Sequence, residues 1–217
     1  MGGFDLSTFI QTVCIWALPV IFAITVHEAA HGYVARYFGD DTAWKMGRIS
    51  LNPLRHIDPI GTVALPLFLL AVGGFLFGYA KPVPVNFGRL RNPKRDGMWV
   101  AAAGPASNFV MAVIWVLLIR LAISMDGFEL QQAMVKMGQA GVSINLSLMV
   151  LNLLPLPPLD GSKILMSLLP YKQAVALSRI EPYGFFILLA LLATGVLEVI
   201  MSPLLQIAAT PLAWLLG

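Results

Sequence analysis

The chain has 217 residues, of which 58% are hydrophobic and 12% charged, and it carries a net charge of +3. Soluble domains are roughly one quarter charged, so this composition and a mean hydropathy of +0.80 exclude a soluble domain with a large core and call for an integral membrane protein. The lysine and arginine excess fits cytoplasmic loops; no basic patch is interleaved with aromatics, so nucleic acid is excluded as a partner.

The first predicted element is a helix over Ser7–Phe38, capped by Ser7 and ended by Gly39 and the pair Asp40-Asp41. With no basic residues before it and no small-residue cleavage site after it, this run reads as a retained span rather than a cleaved signal. Pro19 can kink it or be tolerated as a transmembrane proline. Near its C-terminal end stands His27-Glu28-Ala29-Ala30-His31, the helical His-Glu-x-x-His pattern. Residues four apart lie on one helix face, so both imidazoles can bind one zinc ion while Glu28 sits beside it as a base for water. Only three histidines occur, and two of them fall in this apolar segment. Ionisable groups there are costly and functional by default. At ~1.5 Å per residue the site lies roughly 13 Å along the axis from Arg36, well below the face where the helix ends.

A polar stretch follows, Asp40 to Asp58, with Lys45, Arg48 and Arg55, and then an apolar run, Val63 to Tyr79, broken by Pro66, Gly73, Gly74 and Gly78. A second basic loop holds Lys81, Arg89, Arg91, Lys94 and Arg95. If the apolar run crossed the bilayer, one basic loop would face outside, against the positive-inside tendency. A re-entrant loop or hairpin over about residues 60–85 is expected instead, covered by protein or a wet cleft.

The next helix is predicted over 98–124 and contains Gly104-Pro105-Ala106-Ser107-Asn108. Asp126 to Lys136 reads as an outside loop, and Gly141 to Leu154 as a helix running into Pro155-Leu156-Pro157-Pro158-Leu159-Asp160-Gly161. Those prolines cannot continue a helix, so the stretch breaks and delivers Asp160 near the start of a new one, about Ser162 to Leu169. A basic loop with Lys172 and Arg179, an apolar helix over Tyr183–Met201, and a final piece over Pro203–Leu216, either crossing or lying on the surface, complete the chain. The expected fold is an all-α polytopic membrane protein. It is a single embedded domain of about five or six transmembrane helices with a re-entrant segment and a proline-broken helix.

A catalytic zinc takes three protein ligands and keeps one position open. Cys14, the lone cysteine, lies in the first apolar run, which leaves His56 or a carboxylate as the third ligand. His56 sits in a polar loop among positive charges, where a structural or supporting role beside the cleft is favoured over ligation. Asp160 is an acidic residue delivered into an apolar context, where a carboxylate needs a partner or a metal; the competing reading is that it caps the following helix. Asn108 and Asn152 are polar groups placed to hydrogen-bond a substrate backbone or an oxyanion, or else to tie helices together. Lys163 is expected to reach headgroups or the Asp160 carboxylate.

His-Glu-Ala-Ala-His in an apolar helix, Gly-Pro-Ala-Ser-Asn, and Asn-Leu-Leu-Pro-Leu-Pro-Pro-Leu-Asp-Gly together resemble the site-2 protease family of intramembrane zinc metalloproteases. Asn52-Pro53-Leu54-Arg55-His56-Ile57-Asp58-Pro59 resembles its compact bacterial members. The likeness runs roughly over Leu18 to Leu165. It implies that His27 and His31 bind Zn2+, that Glu28 is the general base and that Asp160 is the third ligand. It implies hydrolysis of a peptide bond in or next to the transmembrane segment of a membrane-anchored protein or peptide. It also implies a bacterial cell membrane, with the site toward the cytoplasm. No stretch is long enough for the PDZ or CBS domain of larger relatives. The competing classes are a metal or ion transporter lined by buried His and Asp, and an inactive scaffold. Glu28 in the base position argues against the first, and the intact motifs against the second.

Overall fold

A computed structural model describes residues 5–64, 66–68, 81–125 and 129–216, and all regular structure among them is helical. Helix α1 spans Leu6–Tyr37 and holds Pro19 within it without a break. Its N-cap is Asp5 rather than Ser7: the Asp5 carboxylate accepts from Ser7 N at 3.0 Å and from Thr8 Oγ1 at 2.5 Å. A carboxylate that satisfies two donors of the first turn displaces a hydroxyl from that role. A one-turn helix α2, Thr42–Lys45, follows. At its head Lys45 at 2.5 Å and Arg89 at 3.0 Å flank the partly exposed Asp41 and hold its carboxyl below the ordinary range.

Residues Pro59–Ala64 form a π-helical turn. Most of the expected re-entrant run, residues 65 and 69–80, lies outside the described residues. The chain continues as an irregular segment, 81–86, in which Pro82 and Pro84 push Lys81 and Val83 away from helical geometry.

Helix α3 spans Pro93–Ser124, five residues earlier than its apolar run suggests. Pro93 opens it and Asp96 in the first turn accepts from Asn92 N at 2.7 Å, so capping chemistry starts the helix before hydrophobicity does. Helix α4 spans Gln131–Leu153, so much of the stretch expected as an outside loop is helix. Gln, Met, Lys and Ala in that stretch form helices readily although they are not membrane-apolar.

After the proline turn come α5 (Asp160–Leu168), α6 (Tyr171–Ser178), α7 (Glu181–Ala193) and α8 (Val196–Leu216). The expected basic loop around Lys172 is thus α6. The expected break near Pro203 falls instead at Gly195, at φ +74°, and α8 runs through both Pro203 and Pro211. Neighbouring helices and side chains in a membrane protein offset the donor each proline removes.

Among the described residues four helices, α1, α3, α4 and α8, are long and apolar enough to cross a membrane, and the pair α6–α7, bent by 61°, would make a fifth. Helix α3 is central and packs along α1, α4, α5 and α8. Ala112, Val116, Leu146 and Leu212 form one core cluster and Val150, Leu154, Leu188, Leu197 and Met201 another. Outer faces keep apolar side chains exposed, among them Ile10, Phe22, Val110, Leu117 and Ile123. That is the inverse of a soluble protein's surface and suits contact with lipid. The chain is a multi-pass membrane protein.

Candidate metal centre

Helix α1 places His27 and His31 one turn apart, both buried, and α5 brings Asp160 across to them. The Asp160 Oδ2 lies 3.3 Å from His27 Nε2 and 3.2 Å from His31 Nε2, and the two Nε2 atoms are 3.1 Å apart. Asp160 is the first residue of α5, one past the N-cap Leu159, and its carboxylate meets His27, His31 and Lys163 rather than backbone N–H groups. The capping reading of this residue is therefore not realised. Its Oδ1 instead takes the Lys163 ammonium at 3.2 Å, while the buried Oδ2 has no directed hydrogen bond.

The hydrogen bonds behind the rings fix what the front atoms are. His31 Nδ1 is 2.7 Å from the Val100 carbonyl, which can only accept, so this nitrogen carries the proton. His27 Nδ1 is 2.6 Å from Asn108 Oδ1. The Asn108 amide nitrogen is engaged elsewhere, donating to Ala23 O at 3.3 Å and to Asn145 Oδ1 at 3.0 Å. Asn108 thus presents its oxygen, and His27 Nδ1 also carries the proton.

In the neutral rings that a metal requires, both Nε2 atoms are then lone pairs, and they face each other and a carboxylate oxygen. Three such acceptors at 3.1–3.3 Å repel unless a cation sits among them. A tetrahedral ion with bonds of about 2.0–2.1 Å holds its ligand atoms about 3.3 Å apart, so two imidazoles and a carboxylate at these separations fit zinc. The backbone leaves room for one. A Cβ on Gly104 would collide with both rings and lie 2.5 Å from His27 Cε1, so only glycine lets α3 come this close.

In front of the group lies a cavity of about 760 Å³, lined mainly by apolar side chains together with Glu28, Asn152, Lys163 and Glu181. Glu28 Oε2 accepts from Val83 N at 2.7 Å, which ties it to the irregular segment. That segment is held from behind: Arg48 donates to Lys81 O at 2.9 Å, Lys81 N donates to His56 O at 3.0 Å, and Asn86 N donates to the buried Asp40 at 2.6 Å.

The sequence-predicted residues thus divide. His27, His31, Asp160 and Glu28 meet at one place, and Asn152 lines the same cavity, its amide nitrogen on Leu148 O at 2.9 Å. Asn108 stands behind the rings, with both ends of its amide engaged, and does not line the cavity. His56 is not brought to the metal group. It is fully buried in the loop, its Nε2 on Ser50 O at 2.7 Å, where it steadies the chain that carries Lys81.

Sequence reasoning passed over Asn145 and the Val83 amide, whereas the small residues around Gly104 already allow α3 a close approach to a neighbouring helix. For Asn145 a signal existed: a second asparagine in the apolar run of α4, seven residues before Asn152 and so on nearly the same face.

The profile of Peptidase family M50 matches residues 15–142 and 121–195. The Bacillus subtilis protein named "Putative zinc metalloprotease YwhC" is 40% identical over 193 residues, covering 87% of this chain and 84% of its own. The Mycolicibacterium smegmatis protein named "Putative zinc metalloprotease Rip2" is 31% identical, covering 88% and 70% respectively. The Methanocaldococcus jannaschii protein named "Putative zinc metalloprotease MJ0611" is 30% identical, covering 75% and 73%. No solved structure matches this chain.

Proposed function

The chain belongs to peptidase family M50, and from that premise we propose that this metalloprotease is a zinc endopeptidase cutting a membrane-anchored protein or peptide in or next to its transmembrane segment. The observation that carries this reading is the placement of His27, His31 and Asp160 at the inner wall of the cavity that Glu28 also lines.

When bound by those three residues, zinc supplies Lewis acidity, polarising a carbonyl oxygen and lowering the pKa of water. Glu28, adjacent to His27 and steadied by the Val83 amide, takes the proton from the water that attacks the scissile carbonyl. It returns that proton to the leaving nitrogen, so one carboxylate serves as base and then acid. Asn152 offers its amide to the substrate backbone.

A transmembrane helix has its carbonyls engaged and must unwind to be cut. The irregular segment 81–86 contributes Pro82, Val83 and Val85 to the cavity, a wall along which an unwound substrate can lie. We read the whole chain as one embedded domain. We read the site as lying toward the cytoplasmic face of a bacterial plasma membrane, an orientation that the basic residues gathered at the end of α1 and the start of α3 support.

The test is cleavage of a model transmembrane substrate by the purified protein in detergent or liposomes. Glu28→Gln should keep its zinc and lose activity by about 10²–10⁴-fold, the usual worth of a positioned base. Asp160→Asn and His31→Ala should lose both zinc and activity. Cleavage at the wild-type rate in Glu28→Gln would sink the mechanism, and full zinc content in His31→Ala would sink the site. Metal flux into liposomes without any cleavage would favour transport instead.

A further inference from the structure

Asn145 lies in the middle of α4, with no exposed surface and no contact with the cavity. Its amide nitrogen donates to Gly141 O at 2.8 Å, one turn back, which points its Oδ1 at Asn108. That oxygen accepts from Asn108 Nδ2 at 3.0 Å.

An asparagine amide can be turned by 180° with little change of shape, exchanging an acceptor for donors. For Asn108 the choice matters. With its oxygen on His27 Nδ1, that nitrogen holds the proton and Nε2 of the neutral ring is a lone pair. With its NH2 there, Nδ1 becomes the acceptor, and Nε2 carries a proton into the space shared with His31 and Asp160. Ala23 O, 3.3 Å from Asn108 Nδ2, opposes the turn, and Asn145 at 3.0 Å opposes it at closer range.

We propose that Asn145 is a positioning residue for the metal centre. It fixes the facing of the Asn108 amide and, through it, the tautomer of His27. This rests on the reading that His27 helps to hold a zinc ion. Outer partners of metal-bound histidines set ring orientation and ligand basicity, and this one sits a shell further out, on a third helix. It would couple the seating of α4 against α3 to the readiness of a ligand on α1.

The experiment measures the zinc dissociation constant of the full-length purified protein by competition with a chelating dye. The chains compared are wild type, Asn145→Val, Asn108→Ala and the double variant, with melting temperatures taken with and without zinc. Removing Asn145 should weaken zinc by about tenfold, the lower end for outer-shell partners, because Ala23 O still holds Asn108 in part. Asn108→Ala should weaken it further, and adding Asn145→Val to that background should cost nothing more. The melting temperature of zinc-free Asn145→Val should fall less than that of the zinc-loaded form, which loses zinc affinity in addition to the buried bonds.

A merely structural asparagine would lower both melting temperatures alike, and its effect would multiply with that of Asn108→Ala. Either result overturns the proposal, as does a dissociation constant within about twofold of wild type, the ordinary scatter of independent sites. If Asn145→Val does not fold, Asn145→Ser serves. Its hydroxyl can bond back to Gly141 O but is too short to hold Asn108, so the same loss is expected. His31→Ala is the control: if it keeps its zinc, the site reading has failed. If it loses zinc while Asn145→Val binds normally, only this inference has.

Discussion

Behind the metal group, where α1, α3 and α4 meet, Asn108 and Asn145 have no exposed surface and each amide atom has a partner. In front, toward segment 81–86 and helices α5 and α7, the same group opens onto a largely apolar cavity of about 760 Å³ with Glu28, Asn152, Lys163 and Glu181 on its walls. A buried network in which every amide atom is already engaged is hard for a new ligand to enter without losing a bond, and losing one costs about 1–3 kcal/mol. A cavity wall with a few polar groups on apolar surface can take one in. The rear wall is therefore suited to fixing geometry and the front wall to handling a substrate. Helix α1 belongs to both, because His27 turns its Nδ1 to the rear while Glu28 turns its carboxylate to the front.

The largest expected effect breaks the rear wall by volume. Gly104→Ala should push α3 away from the rings, lower zinc affinity by at least ~100-fold, and destabilise the protein by about 1–3 kcal/mol through overpacking. Zinc titration and thermal melts check it, and wild-type affinity in this variant would mean that the rings do not stand where a metal needs them. A smaller effect is expected from the front wall. Val83→Pro removes the N–H that Glu28 accepts from together with the buried valine side chain, in a stretch already flanked by prolines, whereas Val83→Ala trims that side chain and keeps the N–H. The first should lower kcat roughly 10- to 100-fold relative to the second, the scale of a misplaced catalytic group, with zinc affinity equal in both. Equal kcat values would show that the amide does not position the base.

How legible these walls were in sequence follows from the range of the contacts that make them. The His-Glu-x-x-His face is local: one helix turn decides it, and it stands where expected on α1. Asp160 was legible because the prolines before it break the helix, a local steric effect, and a carboxylate left in apolar surroundings needs company. The ends of α3 and α4 were not, because a search for apolar runs finds the part of a helix that lipid touches. It misses the polar first turns started by Pro93 and Asp96, or the helix-forming residues from Gln131 onward. The break at Gly195 lost to Pro203 in the reading because proline is the stronger local signal, although membrane packing absorbs it. The Val83–Glu28 bond joins residues 55 apart, and a backbone donor leaves no trace in residue identity.

The smallest expected effect separates the two asparagines of α4. Asn145 and Asn152 share an amide and lie two turns apart, yet one is sealed against Asn108 while the other, half-buried, lines the cavity. If the division into walls is right, burial rather than residue type decides what each controls. Asn152→Ala should leave zinc affinity unchanged and reduce kcat/KM by about tenfold, the order of one hydrogen bond to the substrate backbone. The loss should fall mainly on KM if the bond forms equally in ground and transition states, and on kcat if it strengthens as charge develops on the carbonyl oxygen. A fall in zinc affinity instead would move Asn152 to the rear wall, and the front of the cavity would then bind its substrate through Lys163, Glu181 and the backbone of segment 81–86 alone.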